Sequence, residues 1–467
     1  MRYVSTRGAS VKLPFGDVLL AGLAYDGGLY VPEAWPTLAP GDLARFADMP
    51  YAEVAIEVMA PFVGDSIDPD AFAEIVRDAY ATFDDPAVVP MRELDGGLHL
   101  LELFHGPTLA FKDVALQVVG RLFDYELTKR NRTVTIVGAT SGDTGSAAIE
   151  ACRDRDAIEI FILHPHRRVS EVQRRQMTTV LSPNVHNIAV EGTFDDCQDL
   201  VKEAFADADF RDRHQLSAVN SINWARVMAQ IVYYVKAAAD LGRGEKPVAF
   251  SVPTGNFGNV FAGYVAQRMG VPITQFIVAS NQNDILTRFL ETGSMRLGEV
   301  HPTLSPSMDI QVSSNFERLL FELVGRDGAQ VAELLLQFRS DGDFTLGTDV
   351  MAQLREHWSG ERVDDEQTTR IIASTWEHSG VLIDPHTAVG IGAAVTCRRD
   401  ASVPVVCLAT AHPAKFPDAV EAATGIRPEL PPRLDDLFER PERCTVLPNS
   451  IAALEGHIDA ALLGVTP

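Results

Sequence analysis

Apolar residues recur along this chain with two different periods, and the change from one to the other divides it. Up to about residue 95 the pattern is mostly helical, over 51–62 and 70–82, with one short strand where Tyr25-Asp26-Gly27-Gly28-Leu29-Tyr30-Val31-Pro32 turns into an apolar run. This segment shows no catalytic motif and is expected to pack on the rest; Tyr25 and Asp26 would border a ligand site only if it covers one. From residue 97 onward, short β-branched or apolar runs alternate with Gly- or Ser-rich turns and helical stretches. Such alternation predicts a mostly parallel sheet with helices on both faces.

Strands are expected at 133–137, 158–163, 186–190, 216–219, 248–252, 273–278 and 403–409. Among the helices, Asp113 to Leu127 carries Val114, Leu116, Val118, Val119, Leu122 and Phe123 at mostly helical spacing, and Val260 to Met269 follows a glycine-rich turn. The charged stretch 295–365 reads as peripheral, and the Pro-rich piece Arg427 to Arg433 as a linker into a C-terminal tail.

Composition narrows the class. With 467 residues, 46% of them hydrophobic, the chain can bury a large core. Forty basic against sixty-four acidic residues give a net charge of −24, which argues against nucleic acid or an anionic membrane as partner. A small anionic substrate would then need a local cationic pocket. Five scattered cysteines without a C-x-x-C pair point to a reducing compartment and no structural metal; with no signal core and no membrane-length apolar run, a cytoplasmic location is expected. No obligate protein partner is evident.

The candidate chemistry lies in turns that follow strands, where open α/β sheets bind ligands. Phe104-His105-Gly106-Pro107-Thr108-Leu109-Ala110-Phe111-Lys112-Asp113 leads into a helix, so Lys112 stands at or just before a helix N-terminus. The helix dipole and the apolar Leu109, Ala110 and Phe111 both favour the neutral, nucleophilic amine. The alternative is a surface lysine paired with Asp113 or with a substrate anion, and this stretch alone leaves the two open. Gly255-Asn256-Phe257-Gly258-Asn259 follows a strand and opens a helix, which suits a phosphate held by backbone N–H groups; a ligand-free tight turn is the other reading. Thr140-Ser141-Gly142-Asp143-Thr144-Gly145 repeats the design with hydroxyls suited to a carboxylate, unless Ser141, Asp143 and Thr144 serve only to cap a helix. No G-x-x-x-x-G-K-[ST] occurs, Gly390-Ile391-Gly392 lacks the third glycine of a dinucleotide fingerprint, and the histidines show no metal spacing.

Taken in order, Phe104 to Asp113, Ala139 to Gly145, Asn220 to Asn223, Val252 to Gly258 and Thr410 to Phe416 resemble the motifs of the threonine synthase family, fold-type II pyridoxal-phosphate enzymes. Five motifs at compatible spacing are far more specific than a Lys-Asp dipeptide. The resemblance implies an α/β fold of two open twisted subdomains with pyridoxal 5'-phosphate in the cleft between them, over 96–430, an N-terminal domain over 1–95, and a tail over 431–467 packing on the catalytic region. It implies that Lys112 carries the cofactor and acts as the base. Gly255, Asn256, Phe257, Gly258 and Asn259 would hold its phosphate, Thr410 its ring nitrogen, and Asp143 would lie near its 3′-oxygen.

The implied substrate is O-phospho-L-homoserine, converted with water to L-threonine and phosphate, the last step of threonine biosynthesis. Thr140, Ser141 and Thr144 are expected to bind the substrate carboxylate. Its phosphate is expected on Asn220, Ser221 and Arg226 with Lys415, because a bidentate arginine suits a phosphate; Arg167 and Arg168 are a second choice. Rivals are another enzyme of the same fold, such as a threonine dehydratase, and a non-catalytic amino-acid-binding protein, which would be expected to lose Lys112.

Overall fold

The computed structural model describes residues 1–9, 11–218 and 221–463. By its internal contacts the chain divides into two units, Met1–Ala115 with Ser221–Pro428 and Leu116–Asn220 with Glu429–Pro467.

The first unit is built on six strands in the order Trp358–Arg362, Ile273–Ser280, Val248–Pro253, Val405–Ala409, Leu98–Glu102 and Met91–Glu93. All neighbours are parallel except the last pair. Val248–Pro253 and Val405–Ala409 are buried at every position, as strands covered on both faces must be. Between 295 and 365 the structure departs from the peripheral role expected of it, since Trp358–Arg362 is an edge strand of this sheet. Its sequence, Trp-Ser-Gly-Glu-Arg, carries no apolar run because an edge strand is half solvated.

The N-terminal residues belong to this same unit. Tyr3–Ser5 pairs antiparallel with Tyr30–Pro32. Trp224, fully buried at the start of the helix Trp224–Gly242, is ringed by Tyr3 at 5.9 Å, Trp35 at 6.0 Å and Phe62 at 5.7 Å between ring centroids. Aromatic rings at these separations bury large areas and favour tilted contacts. Arg7 pairs with Glu317 at 2.8 Å, and Arg326 Nη1 donates to the carbonyl of Glu33 at 2.6 Å. Asp26 serves the turn itself, accepting from Ser5 Oγ, Ala9 N–H and Gly28 N–H, while Tyr25 projects into solvent.

The second unit carries five parallel strands in the order Thr445–Pro448, Val185–Glu191, Ile158–Pro165, Val134–Ala139 and Leu216–Ser217. The C-terminal residues supply more than a tail here. Thr445–Pro448 closes one edge of the sheet, and Leu454 and Ile458 of the helix Ile451–Leu462 enter a core with Phe161 and Leu200. Four residues ending in proline are too few to show a strand period on their own.

Close helix packing in this unit depends on Gly120, where an added Cβ would lie 2.4 Å from the Ala151 carbonyl oxygen. Gly120→Ala should therefore destabilise the unit by about 1–3 kcal/mol. The thermal midpoint followed by circular dichroism is expected to fall, and an unchanged midpoint would count against this packing.

Candidate active site

The turn after Val248–Pro253 is shaped from behind. Ser313 Oγ donates to the Gly255 carbonyl at 2.7 Å, and Asn315 donates to the Asn256 carbonyl at 3.0 Å through both its N–H and its Nδ2. A planar trans peptide points its N–H opposite to the preceding carbonyl. Holding those two oxygens therefore turns the N–H groups of Asn256 and Phe257 the other way. Among the described residues the N–H groups of Asn256, Phe257, Gly258 and Asn259 donate to no acceptor, the last two in the first turn of the helix Gly258–Arg268. Such donors with the helix dipole behind them form an anion cradle.

Two further features define the cradle. A Cβ on Gly255 would meet the Ser307 carbonyl oxygen at 2.8 Å, so glycine is required. Phe257 sits at φ +63°, a left-handed conformation uncommon for a bulky residue, and is held there by stacking on Trp358 at 5.6 Å and an edge contact with Phe316. Asn259 is oriented by hydroxyls: Tyr233 and Tyr234 donate to its Oδ1 at 2.6 and 2.8 Å. Its Nδ2, buried and without a partner, is a donor waiting for an acceptor.

The lysine loop belongs to the same unit and is zipped to another strand end. Leu103 N–H donates to the Ala409 carbonyl at 3.0 Å, Phe111 N–H to the Thr410 carbonyl at 2.9 Å, and His412 N–H to the Leu109 carbonyl at 3.0 Å. Lys112 opens the helix Lys112–Lys129, half-buried, with Nζ 5.8 Å from the Phe111 ring centroid. Asp113 is fully buried and turned back on the loop, accepting from Thr108 N–H and Thr108 Oγ at 2.7 Å each. Leu109 carries φ +63°, a second bulky residue in the left-handed region. The bond from Phe111 to Thr410 ties the residue before Lys112 to Thr410 itself.

Lys415 is fully buried, and its Nζ donates to the Thr108 carbonyl at 2.7 Å, a bracing contact that its sequence position did not suggest. Ser221 Oγ lies 3.2 Å from Ser314 Oγ, which reaches Asn256 Oδ1 at 3.3 Å, so Ser221 is brought beside the cradle. Asn220 lies outside the described residues. Arg226 is buried in the first turn of Trp224–Gly242, and its Nε and Nη1 have no partner. Burial pushes its guanidinium down to about 10. Asn315, Ser313 and the two tyrosines were missed by sequence reasoning. The Ser-Ser-Asn run before an apolar helix was visible, but it signals a helix cap as readily as a brace.

In the second unit, the hydroxyl-rich turn folds on Thr140. Thr140 Oγ accepts from Gly142 N–H at 2.9 Å and Gly145 N–H at 2.8 Å. With both lone pairs engaged, its proton remains to donate. Gly142 has φ +146° and lies where a Cβ would strike Gln173 at 2.4 Å; Gly142 caps the helix Asp143–Cys152 without a side-chain bond, so Ser141, Asp143 and Thr144 are not its caps. Asp143 is buried and accepts from Gln173 Nε2 at 2.8 Å, while Ser141 is exposed and Thr144 half-buried.

Comparison with known proteins decides what these turns belong to. Residues 2–80 match the family described as threonine synthase N terminus, 88–334 pyridoxal-phosphate dependent enzyme, and 387–458 threonine synthase, C-terminal. A threonine synthase of Pseudomonas aeruginosa is 58% identical over 459 residues, covering 98% of each chain. The chain belongs to the threonine synthase family. The crystal structure of threonine synthase from Brucella melitensis with bound pyridoxal phosphate superposes with a TM-score of 0.97 at 51% identity, covering 99% of each chain; that of the yeast enzyme gives 0.93 at 37%, also over 99% of each. As a threonine synthase of fold type II, the protein is a pyridoxal-phosphate-dependent enzyme.

The residues present fit that cofactor. The buried unpartnered Asn259 Nδ2 and four N–H groups without an acceptor among the described residues suit a phosphate. Asn259→Ala should weaken cofactor binding about tenfold to a hundredfold, the worth of a buried donor to a charged acceptor. Absorbance titration of the stripped protein with pyridoxal 5'-phosphate measures this, and unaltered affinity would remove Asn259 from the cradle.

Proposed function

We propose that this enzyme converts O-phospho-L-homoserine and water to L-threonine and inorganic phosphate. When bound, pyridoxal 5'-phosphate supplies an electron sink for the negative charge that develops beside the substrate's carboxylate. Gly255, Asn256, Phe257, Gly258 and Asn259 would hold the cofactor's phosphate, and Lys112 would be the residue that carries it. Thr410 would meet the ring nitrogen with its hydroxyl. A neutral hydroxyl there could not stabilise a full positive charge as a carboxylate would, so it would favour an uncharged ring nitrogen.

Lys112 would be the base that takes the substrate's Cα proton and then its Cβ proton; phosphate would leave from Cγ, protons would return to Cγ and to Cα, and water would give its oxygen to Cβ and its proton to the departing phosphate. A flexible primary amine reaches two adjacent carbons. Thr140, Ser141 and Thr144 bind the substrate carboxylate; the engaged lone pairs of Thr140 commit its proton to an acceptor. Asp143, steadied by Gln173, would accept a hydrogen bond from a protonated group at the cofactor's 3′-oxygen.

The observation that carries the substrate assignment is Arg226. In a chain of net charge −24, a buried guanidinium with two unpartnered nitrogens calls for an anion, and the leaving phosphate needs a site of its own. Ser221, Asn220 and Lys415 would share that role with it. With no disulfide among five free cysteines, a cytoplasmic location accords with this role, and among the described residues no helix is long and apolar enough to cross a membrane.

The purified protein should release phosphate from O-phospho-L-homoserine and no ammonia from L-threonine; the reverse result would make it a dehydratase. Arg226→Met should raise KM for the phosphorylated substrate about tenfold to a hundredfold and leave the cofactor's absorbance unchanged. A parent-like KM would refute that contact. Lys112→Ala should abolish turnover, and borohydride should no longer fix the cofactor to the chain.

A further inference from the structure

Arg318, in the helix Phe316–Leu323, has no accessible surface. Its Nε donates to the Tyr30 carbonyl at 3.0 Å, its Nη2 to the Ile222 carbonyl at 2.6 Å, and its Nη1 to Asn315 Oδ1. The acceptors are neutral and come from three distant parts of the chain. Burial pushes the guanidinium down to about 9, against the raising influence of Glu317. For stability alone such a group has little to recommend it, since well-packed apolar residues commonly replace buried charges without loss.

What the fork does is fix one side chain. With Oδ1 occupied by Arg318, the Asn315 amide presents Nδ2 to the Asn256 carbonyl at 3.0 Å and to the Ser221 carbonyl at 3.1 Å. Reversing the amide would set a carbonyl oxygen against two others. Asn315 is thus a donor of fixed hand, and it holds the Asn256 carbonyl behind the turn so that the Phe257 N–H faces the other way. Tyr30, at the far end of the fork, lies in the N-terminal strand Tyr30–Pro32. We propose that Arg318 is a positioning residue through which the N-terminal segment sets the anion cradle at 255–259, so that this segment acts on cofactor affinity without touching the cofactor. This rests on the cradle binding the cofactor's phosphate.

The test compares two aldehydes that differ only in the phosphate. Full-length wild type, Arg318→Met and Arg318→Lys, each stripped of cofactor, are titrated with pyridoxal 5'-phosphate and with pyridoxal, and attachment is followed by absorbance. In Arg318→Met the preference for the phosphorylated aldehyde should fall about tenfold or more while affinity for pyridoxal stays near wild type, the size expected when a residue orienting a ligand is lost. Arg318→Lys, which keeps a charge and loses the planar fork, should not restore the preference. Equal weakening of both aldehydes, retention of the preference in Arg318→Met, or full restoration by lysine would overturn the positioning role. Should Arg318→Met fail to fold, Asn315→Ala removes the side-chain donor to the Asn256 and Ser221 carbonyls and the acceptor of Arg318 Nη1, leaves the fork's bonds to Tyr30 and Ile222 in place, and carries the same expected and overturning results. A wild type that itself binds both aldehydes equally would overturn the phosphate assignment, which is a separate failure.

Discussion

Unpaired backbone donors are the constraint around which the first unit is arranged. Leaving N–H groups without acceptors is costly in a folded protein, and four in succession from Asn256 to Asn259 are tolerable only where water or an anion can reach them. The carbonyls of Gly255 and Asn256 are engaged by Ser313 and Asn315 and that of Phe257 by the Phe261 N–H, so the turn is held against relaxing onto its own donors. Binding energy for an anion is in this way built in before any ligand arrives, which is the meaning of preorganisation.

Strain is held at two places by the same means. Leu109 and Phe257 both occupy the left-handed region, where a side chain crowds its own backbone. Each is over-determined by its neighbours: Leu109 by hydrogen bonds to Gly106 and from His412, Phe257 by the rings of Trp358 and Phe316. These turns stand directly before Lys112 and at the mouth of the cradle. Rigid placement there lets a flexible lysine move while everything around it stays still.

The acidic balance of the chain finds a local counterweight in its interior. Arg226 and Arg318 are buried, and among the described residues no carboxylate accepts a hydrogen bond from either. Both lie near the start of the helix Trp224–Gly242, Arg318 through the Ile222 carbonyl and a contact of 5.8 Å over Trp224. Surface charges at a distance are screened by salt, whereas charges in a low-dielectric interior are not. Of the two, Arg226 alone has nitrogens without a partner, so the positive field of the interior is open to an anion there, while Arg318 is spent on neutral acceptors and lies beside Glu317.

Much of this was legible in the residues taken in order. The alternation of strand, glycine-rich turn and helix, the cradle motif, the hydroxyl loop and Lys112 at a helix start are local patterns, set by periodicities of a few residues and by where glycine is needed. Where the signal was weak, the strand was edge-lying or short, as at Trp358–Arg362 and Thr445–Pro448. What only the tertiary structure decided is what stands behind each motif: Asn315 behind Asn256, the two tyrosines behind Asn259, Lys415 behind Thr108, and Arg318 joining Tyr30, Ile222 and Asn315. A sequence read in order displays the groups that can meet a ligand, because their spacing is short. It does not display their supports, because those are brought up from far along the chain by the burial of the core and leave no period of their own.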